Sequence, residues 1–124
     1  MNPNEIEKKK IVQEWFDKAK ADLESAEILL KESKNYDIVA YHSHQAIEKF
    51  FKGTLLQNDQ TFKFSHDLNA LFDEVCNLLK ITDLEKDLSY VNSLYPRLRY
   101  PTGDLVTAEA AEKCLAIAKK IVKH

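Results

Sequence analysis

The sequence has little of what tight turns, disulfide frameworks or membrane spans require. Of its 124 residues, two are glycine and three are proline, the residues that most often interrupt helices. The two cysteines, Cys76 and Cys114, are far apart and form no C-x-x-C pair, which favours a reduced, intracellular protein. No apolar run approaches the roughly 20 residues that a membrane-spanning helix needs. The sequence therefore predicts a soluble cytoplasmic protein without a membrane partner.

The chain has no large excess of positive or negative charge, and it also lacks the common catalytic sequence motifs. The net charge is −2 with histidine neutral, so electrostatic binding of a partner must come from a local patch. None of the motifs G-x-x-x-x-G-K-[ST], G-x-G-x-x-G, G-x-S-x-G or H-E-x-x-H occurs. This argues against the usual phosphate-cradling loops, nucleophile elbows and zinc proteases.

Helix-forming residues fill the chain, and their apolar members recur with the helical period. The predicted helices cover 5–33, 36–57, 66–80, 83–95 and 108–123. Short connections such as 33–35 are typical of antiparallel neighbours. The prediction is an all-α, up-and-down bundle of four or five helices, forming a single domain over 1–124.

Capping residues set the predicted helix ends. Asn4 is expected to cap the first helix, with Ser65 or His66 opening the third. Thr82 with Glu85 predicts a capping box for the fourth helix, which Pro96 is expected to stop, and Thr107 is expected to cap the fifth.

The second helix, 36–57, carries two distinct faces. Its core arc is Val39, Ala40, Ser43, Ala46, Ile47, Phe50, Phe51 and Leu55. The opposite stripe is Tyr41, His42, Gln45, Lys49 and Lys52, with Glu48 at its margin. This stripe is either a binding face or ordinary surface. Gly53 lies on the polar side, where it is expected to weaken the helix end without opening the core.

Asp22 falls inside the apolar stripe of the first helix. A carboxylate there must be paired or hydrogen-bonded unless it reaches water at the edge of the stripe. An arginine from the segment after Pro96 is one candidate partner.

The histidine spacing does not predict a metal site. His42 and His44 are two residues apart, and side chains share a helix face only at spacings of three or four. His44 and Glu48 have such a spacing, but we expect His44 at the edge of the core with its ring hydrogen-bonded. No cofactor is predicted.

Cationic and aromatic residues concentrate in three segments. They are Tyr41, His42, Gln45, Lys49, Lys52, Lys63, His66, Arg97, Arg99 and Tyr100. Arginine offers a planar fork for phosphate and tyrosine a stacking face for a base, so a nucleotide or single-stranded RNA suits this set. The 96–104 segment, with two prolines and a glycine, is predicted to be a rigid loop that holds both arginines. Those arginines could equally clamp Asp22 or Glu48.

Four sequence blocks resemble the HEPN domain family and follow its order. They are W-F-x-x-A-x-x-D-L-x-x-A at 15–26, H-Q-A-x-E-K-x-x-K at 44–52, S-H-D-L at 65–68 and Y-P-R-L-R-Y-P at 95–101. The resemblance covers nearly the whole chain. It implies a dimerising helical bundle linked to nucleotide or RNA binding, encoded beside or fused to a minimal nucleotidyltransferase.

Many proteins of this family are endoribonucleases of toxin–antitoxin and defence systems. The resemblance implies that in those proteins a histidine near the start of the last helix follows an arginine after four to six intervening residues. Those positions after Arg97 and Arg99 hold Thr102, Gly103, Asp104, Leu105 and Val106. Because a positioned histidine contributes on the order of 10² to 10⁴ in rate, its absence predicts a non-catalytic module.

The resulting hypothesis is a homodimeric module that binds nucleotide or RNA phosphate between the second helix and the 96–101 loop. Arg97 and Arg99 would anchor phosphate and Tyr100 would stack on a base. Lys49, Lys52, Gln45 and His42 would support them, and Asp22 and Glu48 would orient the arginines. Two alternatives remain: an interaction bundle that docks a nucleotidyltransferase, and a ribonuclease that uses a displaced histidine, His66.

Overall fold

The computed structural model describes residues 3–62, 65–79, 81–99 and 105–123, apart from the side chains of 3 and 96–99. Five helices make up the regular structure of this part of the chain, which confirms the all-α prediction. They are α1 (Pro3–Glu32), α2 (Tyr36–Gln57), α3 (Leu68–Val75), α4 (Glu85–Arg99) and α5 (Ala108–Val122). No described helix is long and apolar enough to cross a membrane.

The α2 helix lies at the centre and contacts each of the other four helices. Its bounds are those predicted from the sequence. Its apolar arc supplies much of the core, where Val39, Ile47, Phe51 and Leu55 are fully buried. Phe50 is only partly buried. The described fold is thus four helices arranged around one.

Gly53 lies where α1 crosses α2, and the prediction that it only weakens the helix end was wrong. It is buried, and a Cβ there would come within 2.8 Å of Phe16 Cε1 and 3.2 Å of Trp15 Cβ. The absence of a side chain therefore lets the two helices approach closely.

Two predicted helix starts were wrong. The α1 helix begins at Pro3, so Asn4 lies in its first turn; the fixed φ of proline suits the first helical position. The α4 helix begins at Glu85 because Asp83 adopts a left-handed φ of 60°, which breaks the helix before a Thr82 cap could form.

The α3 helix is shorter than predicted. It begins at Leu68 instead of Ser65 or His66, and the Asp67 side chain caps it by accepting hydrogen bonds from the backbone N–H groups of Asn69 and Ala70. It ends at Val75, five residues before the predicted end.

Pro96 does not stop α4, which continues to Arg99. Proline removes one backbone donor but leaves the following helical bonds intact, and burial of Val91 and Leu94 anchors the helix just before it. Arg97 and Arg99 thus belong to helical backbone instead of the predicted loop, whereas 100–104 lies outside the described residues. Thr107 caps α5 as predicted, accepting from the N–H of Ala110.

Candidate functional site

The polar stripe of α2 is largely covered. Gln45 is 9% exposed, Glu48 4% and Lys52 5%. The alternative that these side chains are ordinary surface is therefore wrong. Buried charges need partners, so their contacts define what the site can do.

Glu48 is at the centre of this buried cluster. Its Oε1 lies 2.7 Å from Nδ1 of His66, and its Oε2 lies 3.3 Å from Nζ of Lys52, one helical turn along α2. Each carboxylate oxygen therefore has its own partner. Removing either partner would leave a buried charge less compensated.

His66 is held at the edge of this cluster by the turn that starts α3. The next residue, Asp67, caps α3, and its backbone N–H donates to the Ser65 hydroxyl at 3.0 Å. The His66 ring stacks on Tyr95 of α4 with centroids 5.4 Å apart. The side chain nevertheless remains 45% exposed and lines an open pocket of about 300 Å³ with Asp67, Asn92 and Tyr95.

His44 lies on the inner side of Tyr95. It is fully buried, with its ring centroid 4.4 Å from that of Tyr95. Neither ring nitrogen makes a hydrogen bond of ordinary geometry within the described residues, but the His66 backbone and the Asn92 side chain both interact with the ring and raise its pKa. The expected position at the edge of the core was wrong, because the ring is fully buried. Burial lowers the pKa of His44 to about 4, and the nearby Glu48 charge only partly offsets this effect. His44 is therefore neutral at physiological pH.

Two aromatic rings shield Lys52 from solvent. Its Nζ is 5.9 Å from the ring centre of Trp15 and 5.2 Å from that of Phe62, within the range of cation–π attraction. Trp15 and Phe62 also pack edge to face, 5.6 Å apart. Phe62 thus packs back on the bundle, whereas Lys63 and Phe64 lie outside the described residues.

A second carboxylate cluster lies between α1 and α2. Asp22 pairs through Oδ1 with Nδ1 of His42 at 2.8 Å and through Oδ2 with Nζ of Lys49 at 2.5 Å. Its side chain is 12% exposed, so the predicted need for a partner is confirmed. The partners are His42 and Lys49 of the neighbouring helix. Tyr41 lies edge-on to His42, 5.5 Å away.

The predicted site residues thus separate into groups. Glu48, Lys52 and His66 meet beside Tyr95, whereas Asp22, His42 and Lys49 form their own cluster. Gln45 is buried, while the Arg97 and Arg99 side chains and the whole of Tyr100 lie outside the described residues. Among the described residues, no group of three or more metal-ligating side chains comes together.

Sequence reasoning missed Asn92. Its Nδ2 donates to Asp67 Oδ1 at 2.9 Å and Asn69 Oδ1 at 2.7 Å, while its Oδ1 accepts from the N–H of Leu68 at 3.0 Å. It therefore joins α4 to the start of α3 beside His66. An asparagine four residues beyond Leu88, next to the apolar face of α4, was the signal available in the sequence.

Comparisons with known proteins agree with the resemblance seen in the sequence. A model of the family described as HEPN domain matches residues 12–124. The Methanocaldococcus jannaschii protein named Putative toxin MJ1304 is 31% identical over an alignment of 128 positions, gaps included, and the alignment covers 88% of this chain and 82% of that protein. No solved structure matches the chain.

Proposed function

Because this chain belongs to the HEPN domain family, we propose that it is a toxin-type HEPN protein that binds phosphate groups of single-stranded RNA or a nucleotide. The name of the M. jannaschii relative supports the toxin–antitoxin setting. The proposal takes residues 1–124 as one HEPN domain.

The observation that carries this proposal is the contact between His66 and Tyr95. Their stacked rings bring the turn before α3 against α4. Tyr95 is followed within four residues by Pro96, Arg97 and Arg99, the last turn of α4. Two arginines therefore come from backbone adjacent to an open pocket with an aromatic ring and an imidazole. This combination of cation and stacking surface suits a single-stranded nucleic acid.

The proposed binding roles follow from exposure and pairing. Arg97 and Arg99 anchor phosphate, Tyr100 stacks on a base, and His66 contacts the ligand from the pocket wall. Lys52 acts indirectly, because it is buried and paired with Glu48. Asp22, His42 and Lys49 are left out of this site, since they satisfy one another on the α1 side of α2.

The direct test is binding of a labelled single-stranded RNA whose 2′-hydroxyls are methylated, followed by fluorescence anisotropy. Arg99→Ala should weaken binding about 10- to 100-fold, because a hydrogen bond to a charged group contributes about 1.5–3 kcal/mol. The matched control is Lys10→Ala, which removes an exposed α1 cation. Calorimetric titration with ATP or GTP tests whether the protein binds a nucleotide. No heat with either nucleotide, together with equal RNA affinity for Arg99→Ala and wild type, would refute the site.

Homodimerisation and a minimal nucleotidyltransferase partner belong to the same proposal. A toxin-type protein has to be restrained by a partner, and exposed apolar side chains such as Ile28 and Ile38 offer contact area. Light scattering should give twice the chain mass of 14.3 kDa. Co-expression with a nucleotidyltransferase encoded beside it should yield a stable complex, and separate elution of the two chains would contradict that partnership.

A further inference from the structure

A groove runs along α1 and α2 on the side of α2 that faces away from His66. It consists of two neighbouring cavities of about 680 and 500 Å³, which share Gln13 and Phe16 in their walls. Phe50 of α2 lines the larger cavity and lies two positions after Glu48, the partner of His66. Because consecutive residues of a helix are about 100° apart, the Phe50 and Glu48 side chains point in nearly opposite directions. The groove is therefore separate from the proposed RNA site.

The floor of this groove is apolar and open to solvent. Phe16 of α1 and Phe50 of α2 pack with their ring centroids 5.6 Å apart, yet both residues remain partly exposed. Leu23 of α1 and Val122 of α5 extend the apolar floor of the larger cavity. The α5 helix ends at Val122, and the described lining of the smaller cavity comes from α1 and α2 alone. A partner with an apolar stripe that lies between α1 and α2 would cover both rings.

Charged side chains of both signs line the groove, and two of its lysines are unpaired. Glu27 of α1 pairs with Lys123 of α5 at 3.2 Å, so these two charges compensate each other. Lys9 and Lys20 are exposed and have no carboxylate partner within the described residues. They lie on either side of Phe16 along α1, three helical turns or about 16 Å apart. The groove therefore offers two available cations at the ends of an apolar floor.

From this arrangement we infer that the groove docks an amphipathic helix of a partner protein that carries acidic residues beside its apolar stripe. Helices that pack at a crossing angle of about 20° stay side by side, so the partner helix follows α1 for several turns. Carboxylates three turns apart on that helix reach Lys9 and Lys20, while its apolar residues cover Phe16 and Phe50. A nucleic acid fits this groove less well, because Glu24 in its wall repels phosphate. The inference does not depend on the proposed binding of RNA.

The test uses the full chain and a synthetic, dye-labelled peptide of about five helical turns. This acidic peptide has leucines at the helical period and two glutamates three turns apart. Fluorescence anisotropy should show saturable binding, and circular dichroism should show that the peptide gains helix when it binds. A lysine peptide, with lysine in place of both glutamates, should bind about 10-fold more weakly, because attraction to Lys9 and Lys20 becomes repulsion. A peptide with alanine in place of the leucines should not bind.

A charge reversal on the protein is the reciprocal test. Lys9→Glu combined with Lys20→Glu should bind the lysine peptide about 10-fold more tightly than wild type does, and the acidic peptide about 10-fold more weakly. Both lysines are exposed, and a melting curve checks that the double variant is folded. The matched control is Lys10→Glu combined with Lys18→Glu, which makes the same change of charge at exposed α1 lysines outside the groove. The control should bind both peptides as wild type does.

Four results would overturn the inference. One is absence of binding by the acidic peptide, and another is equal affinity of wild type and the Lys9/Lys20 double variant for both peptides. A lower mass of that variant in light scattering would assign the groove to a second copy of the chain. Loss of single-stranded RNA binding in that variant, but not in the Lys10/Lys18 control, would assign the groove to nucleic acid. The proposed RNA site is tested separately with Arg99→Ala, so a failure of the peptide test leaves that proposal standing.

Discussion

The imidazole of His44 and the ring of Tyr95 lie 4.4 Å apart, tilted by 32°, and join α2 to α4 beneath the candidate site. His44 is fully buried against this ring, whereas His66 contacts Tyr95 from the side of the open pocket. One tyrosine thus contacts both a buried and an accessible histidine. Burial lowers the pKa of His44, so its ring is expected to resist protonation in the folded protein.

The first prediction concerns the pH dependence of stability. Unfolded His44 takes up a proton near pH 6.5, whereas burial lowers its folded pKa to about 4. Between these values the unfolded state binds more protons, so His44 makes the folded protein less stable as pH falls. From pH 7 to pH 5 this loss amounts to about 2 kcal/mol.

Urea unfolding at the two pH values measures this effect. His44→Gln serves as the reference, since it cannot titrate and any packing change shifts both measurements alike. The variant should lose about 2 kcal/mol less than wild type between pH 7 and pH 5. Equal losses would show that the charge of Glu48, which raises the pKa of His44, offsets the effect of burial.

The second prediction concerns Asn92, which joins α4 to the start of α3. Asn92→Ala should lower the free energy of unfolding by about 1–3 kcal/mol, because the N–H of Leu68 loses its acceptor. Asn92→Asp keeps that acceptor but faces Asp67 with a second negative charge. It should therefore be less stable than wild type at pH 7.

Ser93→Ala is the control for this pair of variants. Ser93 is the exposed neighbour of Asn92, and its hydroxyl donates to the carbonyl of Tyr90 within α4. Its substitution should change stability by less than about 0.5 kcal/mol. Similar losses for all three variants would show that Asn92 has no special role in docking α3.

The third prediction concerns the helix crossing at Gly53. Alanine normally favours a helix by about 1 kcal/mol over glycine. Here its Cβ would come within 2.8 Å of Phe16 Cε1, and overpacking of this kind costs about 1–3 kcal/mol. Gly53→Ala should therefore be neutral to destabilising by about 2 kcal/mol in a urea titration.

A double-mutant cycle with Phe16→Ala identifies the cause. If the clash dominates, Gly53→Ala should become stabilising once the Phe16 ring is removed. The same effect of Gly53→Ala in both backgrounds would assign the cost to Trp15 or to the α2 backbone instead.

The fourth prediction concerns the cysteines. Cys114 is fully buried, and burial raises the pKa of its thiol to about 12, so it should not react in the folded state. Cys76 is partly exposed at the end of α3. A disulfide reagent should modify one thiol of the native protein and two in denaturant. Cys76→Ser should then show no fast reaction until the protein unfolds.

The sequence alone predicted the all-α fold and the bounds of α2 correctly. Its apolar residues recur with the helical period, and polar residues flank each helical segment. The sequence-based prediction for Gly53 was wrong, because the helical periodicity shows which face of α2 carries the glycine but not which neighbouring helix packs against that face. The prediction for Pro96 was also wrong, because a proline removes one donor and neighbouring burial decides whether the helix continues.

The candidate site was only partly predictable for a related reason. Asp22 stood out as a carboxylate in an apolar stripe, so its need for a partner could be read directly. The pairing of Glu48 with His66 crosses a loop without periodicity, and nothing in residue spacing links the two. Only the packing of the helices determines that the Glu48 and His66 side chains lie next to each other.

The position of Lys52 has a practical consequence. Its ammonium group lies 5.9 Å from the ring centre of Trp15, the only tryptophan of the chain. Indole emission responds to nearby charge, and Lys52 is linked through Glu48 to His66. The protein therefore contains an intrinsic optical reporter, so RNA capture at His66 should change its fluorescence without any attached dye.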